Sequence, residues 1–152
     1  MSKKIVAVSG GFDPIHVGHL RMMQDAAKYG RLTVIVNSDE WLLKKKGYVF
    51  MPWDERAELI SAYDFVDRVI KAKDDDRTVV ASLEEIRPDI FANGGDREKI
   101  NTPEARFCRE NGIEMIWGIG GGKIQSSSSI VTSVTQKKRS KDLEKYRNLN
   151  AY

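Results

Sequence analysis

The chain has 152 residues, 41% of them apolar and 31% charged, the make-up of one ordinary globular domain with a full core. No apolar run approaches the ~20 residues of a membrane span. The apolar part of MSKKIVAVSGG is too short, and too soon broken by glycine, to predict a signal peptide. A single cysteine, Cys108, excludes an internal disulfide, and its predicted helix makes it inert packing in a cytoplasmic chain. The net charge of +3 is unevenly placed, because Lys137–Tyr152 carries six Lys/Arg against two Asp/Glu and leaves the rest at −1. A basic excess confined to a tail argues against a nucleic-acid partner. The expected layout is one domain over residues 1–135 and a basic, partly helical tail over 136–152.

In chain order, Lys3–Ser9 is a β-branched run ending at Gly10-Gly11 and reads as a buried first strand. Val17–Tyr29 has Leu20, Met23, Ala26 and Ala27 at helical spacing, with Gly30 as its stop. Leu32–Val36 is a second buried strand, followed by a polar turn, NSDE. Trp53–Tyr63 starts behind Pro52 with Asp54 and Glu55 in its first turn, where acids suit the helix dipole. Val66–Ile70 is a third strand, and KDDDR a solvated loop before a helix over Thr78–Ile86 that Pro88 closes. Asp89–Ala92 is a fourth strand, Thr102–Asn111 a helix capped by Gly112, and Ile113–Ile119 a fifth strand. GGGK, IQSSSS and a last helix from about Ser127 follow. Strand and helix alternate throughout, which predicts an α/β fold: a doubly wound, parallel, five-stranded sheet with helices on both faces. Ligands of such sheets bind beyond the carboxyl ends of the strands. Those ends carry GGFDPIHVGH, NSDE, NGGD and GGGKIQSSSS, with LLKKKG close behind the second.

The first of these loops holds both histidines of the chain, His16 and His19, one turn apart at a helix start. Gly10 and Gly11 permit close backbone approach, the helix offers unpaired N–H groups, and the small Gly18 between the histidines leaves room for a nucleotide. Two imidazoles there can donate to phosphate oxygens. The competing readings are chance surface histidines or a metal site, and the latter lacks a third ligand. A GxxxxGK phosphate loop is absent, which excludes a Walker-type NTPase.

GFDPIHVGHL resembles the HxGH signature of the cytidylyltransferase-like nucleotidyltransferases. VNSDEWLLKKKG, PWDER with VDRVI, IRPDIFANGGD and SSSSI resemble that family's further motifs in the same order, over about Ile5–Ile130. The resemblance implies a Rossmann-like fold and an enzyme that joins an NTP to a small phosphorylated acceptor, releasing pyrophosphate without a covalent enzyme intermediate. It implies that His16 and His19 hold the triphosphate and stabilise the transition state, while Lys45 or Lys46 neutralises charge as the acceptor approaches. Gly10, Gly11, Phe12, Asp13, Gly18, Gly94, Gly95, Asp96, Ser126, Ser127 and Ser128 would bind the nucleotide, and Asn37, Asp39 and Arg56 the acceptor. The family also implies a Mg²⁺ ion on the phosphates, with Asp13 orienting the motif or holding metal-bound water, and a homodimer.

Where glycerol-3-phosphate cytidylyltransferases have arginine and threonine in a closing RTxGIST, this chain has Gly121 and Gly122, with Lys123 next; it also lacks their arginine near Asp64. The pattern is closer to the heptose-1-phosphate adenylyltransferase branch. The GGFDPIH start echoes nicotinate-mononucleotide adenylyltransferases, whose middle region is longer. The expectation is therefore NMP transfer from ATP or CTP to a sugar phosphate. The alternatives are an alcohol-phosphate cytidylyltransferase and, in another class, a nucleotide-binding regulator without turnover. Trp41 and Trp53 either line the acceptor pocket or pack elsewhere.

Overall fold

The computed structural model describes residues 3–95, 101–121, 127 and 130–133. Its elements are β1 (Ile5–Gly10), α1 (Val17–Ala27), β2 (Arg31–Val36), α2 (Asp39–Lys46), α3 (Trp53–Ser61) and β3 (Val66–Lys71). They continue with α4 (Val80–Ile86), β4 (Ile90–Ala92), α5 (Pro103–Glu110) and β5 (Glu114–Ile116). All strand pairs are parallel, in the order β3-β2-β1-β4-β5. Successive side chains of a strand face opposite sides, and the core divides accordingly. Val6 and Val8 of β1 pack with Met23 and Ala26 of α1 and Ile60 of α3. Ala7, between them, packs with Leu83 of α4 and Cys108 of α5 on the other face. This is the doubly wound α/β sheet expected, with helices on both faces.

Strand order reverses between β1 and β4, and the register brings their ends level. Gly10 pairs with Val36, Val36 with Lys71, and Ala92 with Ile116. The loops after β1, β2, β4 and β5 therefore share one rim beside the reversal point, where ligands of open α/β sheets bind.

Two departures from the expected elements matter. The segment expected as a polar turn is the start of a helix, α2. It has every local helix signal: Ser38 Oγ accepts from Trp41 N–H, Asp39 and Glu40 stand in the first turn, three lysines in the last, and Gly47 caps it at φ +82. Only Leu42 of it is buried, so hydrophobic periodicity had nothing to mark. The strand expected over Ile113–Ile119 is only β5, because the chain turns back after Ile116 and Gly118 and Gly120 take positive φ values of +71 and +83.

Candidate active site

The β1–α1 loop builds its own geometry. Phe12 stands at φ +53, the Asp13–Pro14 peptide is cis, and His16 is the N-cap of α1. His16 Nδ1 accepts from Gly18 N–H (3.0 Å), and His19 Nδ1 accepts from His16 N–H (3.2 Å), a capping box made of two imidazoles. The rings stack at 3.7 Å between centroids, and the Phe12 ring meets His19 edge-on at 4.9 Å. A ring nitrogen that accepts carries no proton, so each neutral ring has its hydrogen on Nε2. Burial, His16 and Lys46 lower the His19 pKa to about 3, so this ring is neutral at pH 7. A neutral imidazole at this position is a fixed Nε2–H donor rather than a charge.

The glycines here have a different reason from the one expected. A Cβ on Gly18 would stand 2.8 Å from the His16 ring, one on Gly10 2.9 Å from the Phe12 ring, and one on Gly11 2.9 Å from the Leu42 side chain. On that side they make room for the protein's own side chains, not for a ligand.

The lysines of α2 separate. Lys46 is half-buried, its pKa is lowered mainly by burial and further by Lys45 and Arg56, and the Asp13 carboxylate acts against that shift. Its charge also acts on His19. Lys45 faces elsewhere: its Nζ lies over the Trp41 ring, 4.6 Å from the centroid.

The expected contact of Arg56 with an acceptor is not what the structure has. Its side chain is fully buried and makes hydrogen bonds to Met51 O (2.8 Å), Gly11 O (2.7 Å), Asn37 O (2.8 Å) and Asp39 Oδ1 (2.6 Å). It is a strut joining α3 to the ends of β1 and β2, and it occupies Asp39 as its ion-pair partner. Asn37, also expected at the acceptor, is buried and donates to Asp74 Oδ2 (3.1 Å). Asp74 also accepts from Ser38 N–H (2.9 Å) and Ser38 Oγ (2.7 Å), so it anchors the start of α2. It belongs to the run read from sequence as a solvated loop, and three consecutive aspartates carry no signal that one is buried.

Asp13 is fully buried, and its two oxygens accept from the backbone N–H groups of Phe50 and Met51. Of its two expected roles, this geometry is that of orienting the loop. No three metal-binding side chains converge among the described residues, so they form no metal cage. A magnesium ion would be held largely by substrate phosphates and water, with a carboxylate or two from the chain, as is usual for that ion.

The far wall comes from β4 and β5. Gly118 N–H donates to Gly95 O (3.1 Å) and Ile119 N–H to Asn93 O (3.2 Å), and Gly94 lies against Met22 of α1. Gly120 N–H donates to Asp25 Oδ2 (2.8 Å), fastening this loop to α1. Ser127 is buried and donates to Pro14 O (2.8 Å), so the serine-rich turn touches the histidine loop. Residues 130–133 are helical. Asp96, Ser126, Ser128 and the tail over 136–152 lie outside the described residues.

On the other side of the β1 tip a cavity of about 310 Å³ opens, lined among others by Ser9, Asn37, Trp41, Lys45 and Trp117. Trp41 thus lines a pocket, whereas Trp53 donates its Nε1–H to Val36 O (3.1 Å) and packs against the core. Cys108 is buried packing, its thiol pushed up to about 11 by burial and Glu104. No helix among the described residues is long and apolar enough to cross a membrane.

Several known proteins are similar to this chain. The bifunctional protein HldE of Koribacter versatilis is 37% identical over 97 residues, covering 62% of this chain and 20% of that protein. The FAD synthase of Ferroglobus placidus is 36% identical over 95 residues, covering 62% of this chain and 60% of that protein. The chain thus spans only part of the length of the curated relatives it matches. Among solved structures, the lipopolysaccharide core biosynthesis protein of Thermoplasma volcanium superposes with a TM-score of 0.64 at 25% identity, over 79% of this chain and 98% of that one. The family model described as cytidylyltransferase-like matches residues 7–118. The chain belongs to the cytidylyltransferase-like family of nucleotidyltransferases.

Proposed function

We propose that this protein transfers an NMP from an NTP, ATP ahead of CTP, to a sugar phosphate and releases pyrophosphate. The observation that carries the reading is the pair of stacked, backbone-locked imidazoles at the start of α1, beside the half-buried Lys46 and at the point where strand order reverses. An oxygen of the acceptor phosphate attacks the α-phosphorus, a new P–O bond forms, and the α–β bond breaks. The electron pair leaves on pyrophosphate. The nucleophile is already an anion, so no enzyme base has to remove a proton. The protein supplies position and charge stabilisation. His16 and His19 donate Nε2–H to the phosphate oxygens, whose charge grows in the transition state, and the α1 N-terminus adds its dipole. Lys46 offsets the repulsion between the two phosphate groups. Gly94 and Gly95, with Asp96, meet the ribose or base, and the turn around Ser127 holds the outer phosphates. The ATP preference rests on the likeness of the motif set to the heptose-1-phosphate branch. The cytoplasm and a homodimer complete the reading on that likeness alone.

The test is a pyrophosphate-release screen of ATP and CTP against phosphorylated sugars, polyols and amino alcohols. Turnover with ATP and a sugar phosphate is expected. Turnover with CTP and an alcohol phosphate would move the protein to the cytidylyltransferase branch. Tight nucleotide binding without turnover would make it a regulator.

A further inference from the structure

The loop after β5 is built of residues that hold no shape by themselves. Gly118, Gly120 and Gly121 all take positive φ, from +71 to +83, and glycine loses more freedom on ordering than any other residue. Ties from outside the loop must therefore hold it. Two are backbone bonds to the β4 loop, Gly118 N–H to Gly95 O and Ile119 N–H to Asn93 O, and the buried Ile119 side chain adds an apolar anchor. The third comes from a side chain on α1: Asp25 Oδ2 accepts from Gly120 N–H at 2.8 Å, across 95 residues of chain.

Helix α1 is placed to receive that loop. Met23 and Ala26 are buried in the core, which fixes the rotation of the helix and turns Met22 and Asp25, one residue before each, toward the loop. A Cβ on Gly120 would stand 2.9 Å from Met22 Cα and 3.1 Å from Met22 N, so loop backbone lies directly on helix backbone. Gly94 of the β4 loop rests on the same residue, its added Cβ 3.4 Å from Met22 Sδ. Farther along the chain, Ser127 Oγ donates to Pro14 O at 2.8 Å. Residues 120 and 127 are thus both fastened to the unit that carries His16 and His19, one beyond each side of the imidazole pair.

We propose that Asp25 is a positioning residue for the nucleotide: by holding Gly120 against α1 it sets the β5 loop, and with it the serine turn, in register with the two imidazoles. This rests on the transfer reading and adds to it a remote tie that serves the nucleotide alone. Asp25 stands six residues past His19 on α1, about 9 Å down the helix at ~1.5 Å per residue. Its carboxylate is too far away to touch phosphates held by the imidazoles, and as an anion it would repel them. It therefore acts through Gly120. Among the described residues the Asp25 carboxylate bonds to Gly120 N–H and Lys28 Nζ and to nothing on α2, so the acceptor side is outside its reach.

The test uses the full chain and three variants. Asp25→Ala removes the carboxylate and leaves a good helix former, Asp25→Asn keeps one oxygen for Gly120 N–H, and Lys28→Ala removes the exposed ion-pair partner at 3.5 Å. Calorimetric titration measures ATP and CTP binding, and pyrophosphate release gives KM values for the nucleotide and for hexose and heptose 1-phosphates. Asp25→Ala is expected to weaken nucleotide binding and raise the nucleotide KM by about tenfold, the scale of one hydrogen bond to a charged group, with the acceptor KM unchanged. Asp25→Asn should recover most of that loss, and Lys28→Ala should match the wild type, because an exposed ion pair contributes little. A merely structural role would lower the amount of active enzyme and leave both KM values alone. The assignment is overturned if Asp25→Ala keeps wild-type nucleotide affinity, if it raises both KM values alike, if Asp25→Asn is equally impaired, or if Lys28→Ala reproduces the loss. The two readings fail separately. Nucleotide binding that Asp25→Ala weakens, without pyrophosphate release, would remove the transfer reading and keep the tie. Release with an unchanged nucleotide KM in Asp25→Ala would keep transfer and remove the tie.

Discussion

The β1–α1 loop and helix α2 face each other across the rim, and they are organised in opposite ways. In the loop, the bonds that orient the imidazoles run between neighbours: His16 Nδ1 to Gly18 N–H and His19 Nδ1 to His16 N–H, two and three residues apart. Helix α2 carries Lys45 and Lys46, but what aims it comes from far along the chain. Asp74 holds its first turn from 36 residues away, and Arg56 ties Asp39 to the ends of β1 and β2. A local device survives as a motif in a string of letters. A remote one depends on the fold to bring its parts together.

That difference sets the sizes of the expected effects. Arg56→Ala should be the most damaging change, because it leaves Asp39 and three carbonyls without their donor. A loss of about 3–5 kcal/mol in unfolding free energy is expected from denaturant titration, since each of the three buried or part-buried carbonyls left without a donor costs about 1–3 kcal/mol. A loss below 1 kcal/mol would show that the strut is dispensable. His16→Ala and His19→Ala should each lower kcat by about 100-fold or more, the effect of removing one transition-state donor. Wild-type rates in both would take the imidazoles out of the mechanism.

Asp74→Ala should act on α2 at a distance. It strands the Ser38 N–H and the Asn37 amide, costing about 1–3 kcal/mol, and should raise the acceptor KM more than it lowers kcat. Asp74→Asn, which keeps one acceptor oxygen, should recover part of that loss. An unchanged KM in Asp74→Ala would mean that α2 holds its own position. The effect of pH on folding is graded: it is small just below pH 6.5 and grows as more of the window is crossed. The His19 pKa is about 3 in the folded chain against 6.5 for a free imidazole, so between these values the unfolded chain binds a proton that folded His19 refuses. Stability should therefore fall as pH drops from 6.5 toward 3, and part of that fall should vanish in His19→Ala. An identical pH dependence in the two proteins would contradict the shift.

The same contrast explains what was legible in the sequence. The doubly wound sheet follows from alternating apolar strands and periodic helices, and the histidine pair from its spacing at a helix start. Helix α2 escaped because it buries only Leu42 and has no apolar stripe to read. The resemblance of PWDER to a family motif put Arg56 at the acceptor, but full burial turns its donors toward backbone oxygens and Asp39. Asp74 could not be told from Asp75 and Asp76 by type. Of the three, Asp74 alone is buried, because the chain there crosses the start of α2. Gly18 was correctly singled out for the wrong neighbour: the ring it makes room for is His16.

The account depends most on the two rings being neutral Nε2–H donors aimed at phosphate. Nitrogen-15 NMR of the imidazoles, followed from pH 8 to 4 with and without a non-hydrolysable ATP analogue, measures this directly. His19 should keep an unprotonated Nδ1 and a protonated Nε2 throughout, and both Nε2–H signals should move when the analogue binds. A His19 ring that protonates near pH 6.5, or Nε2 signals indifferent to the nucleotide, would contradict it.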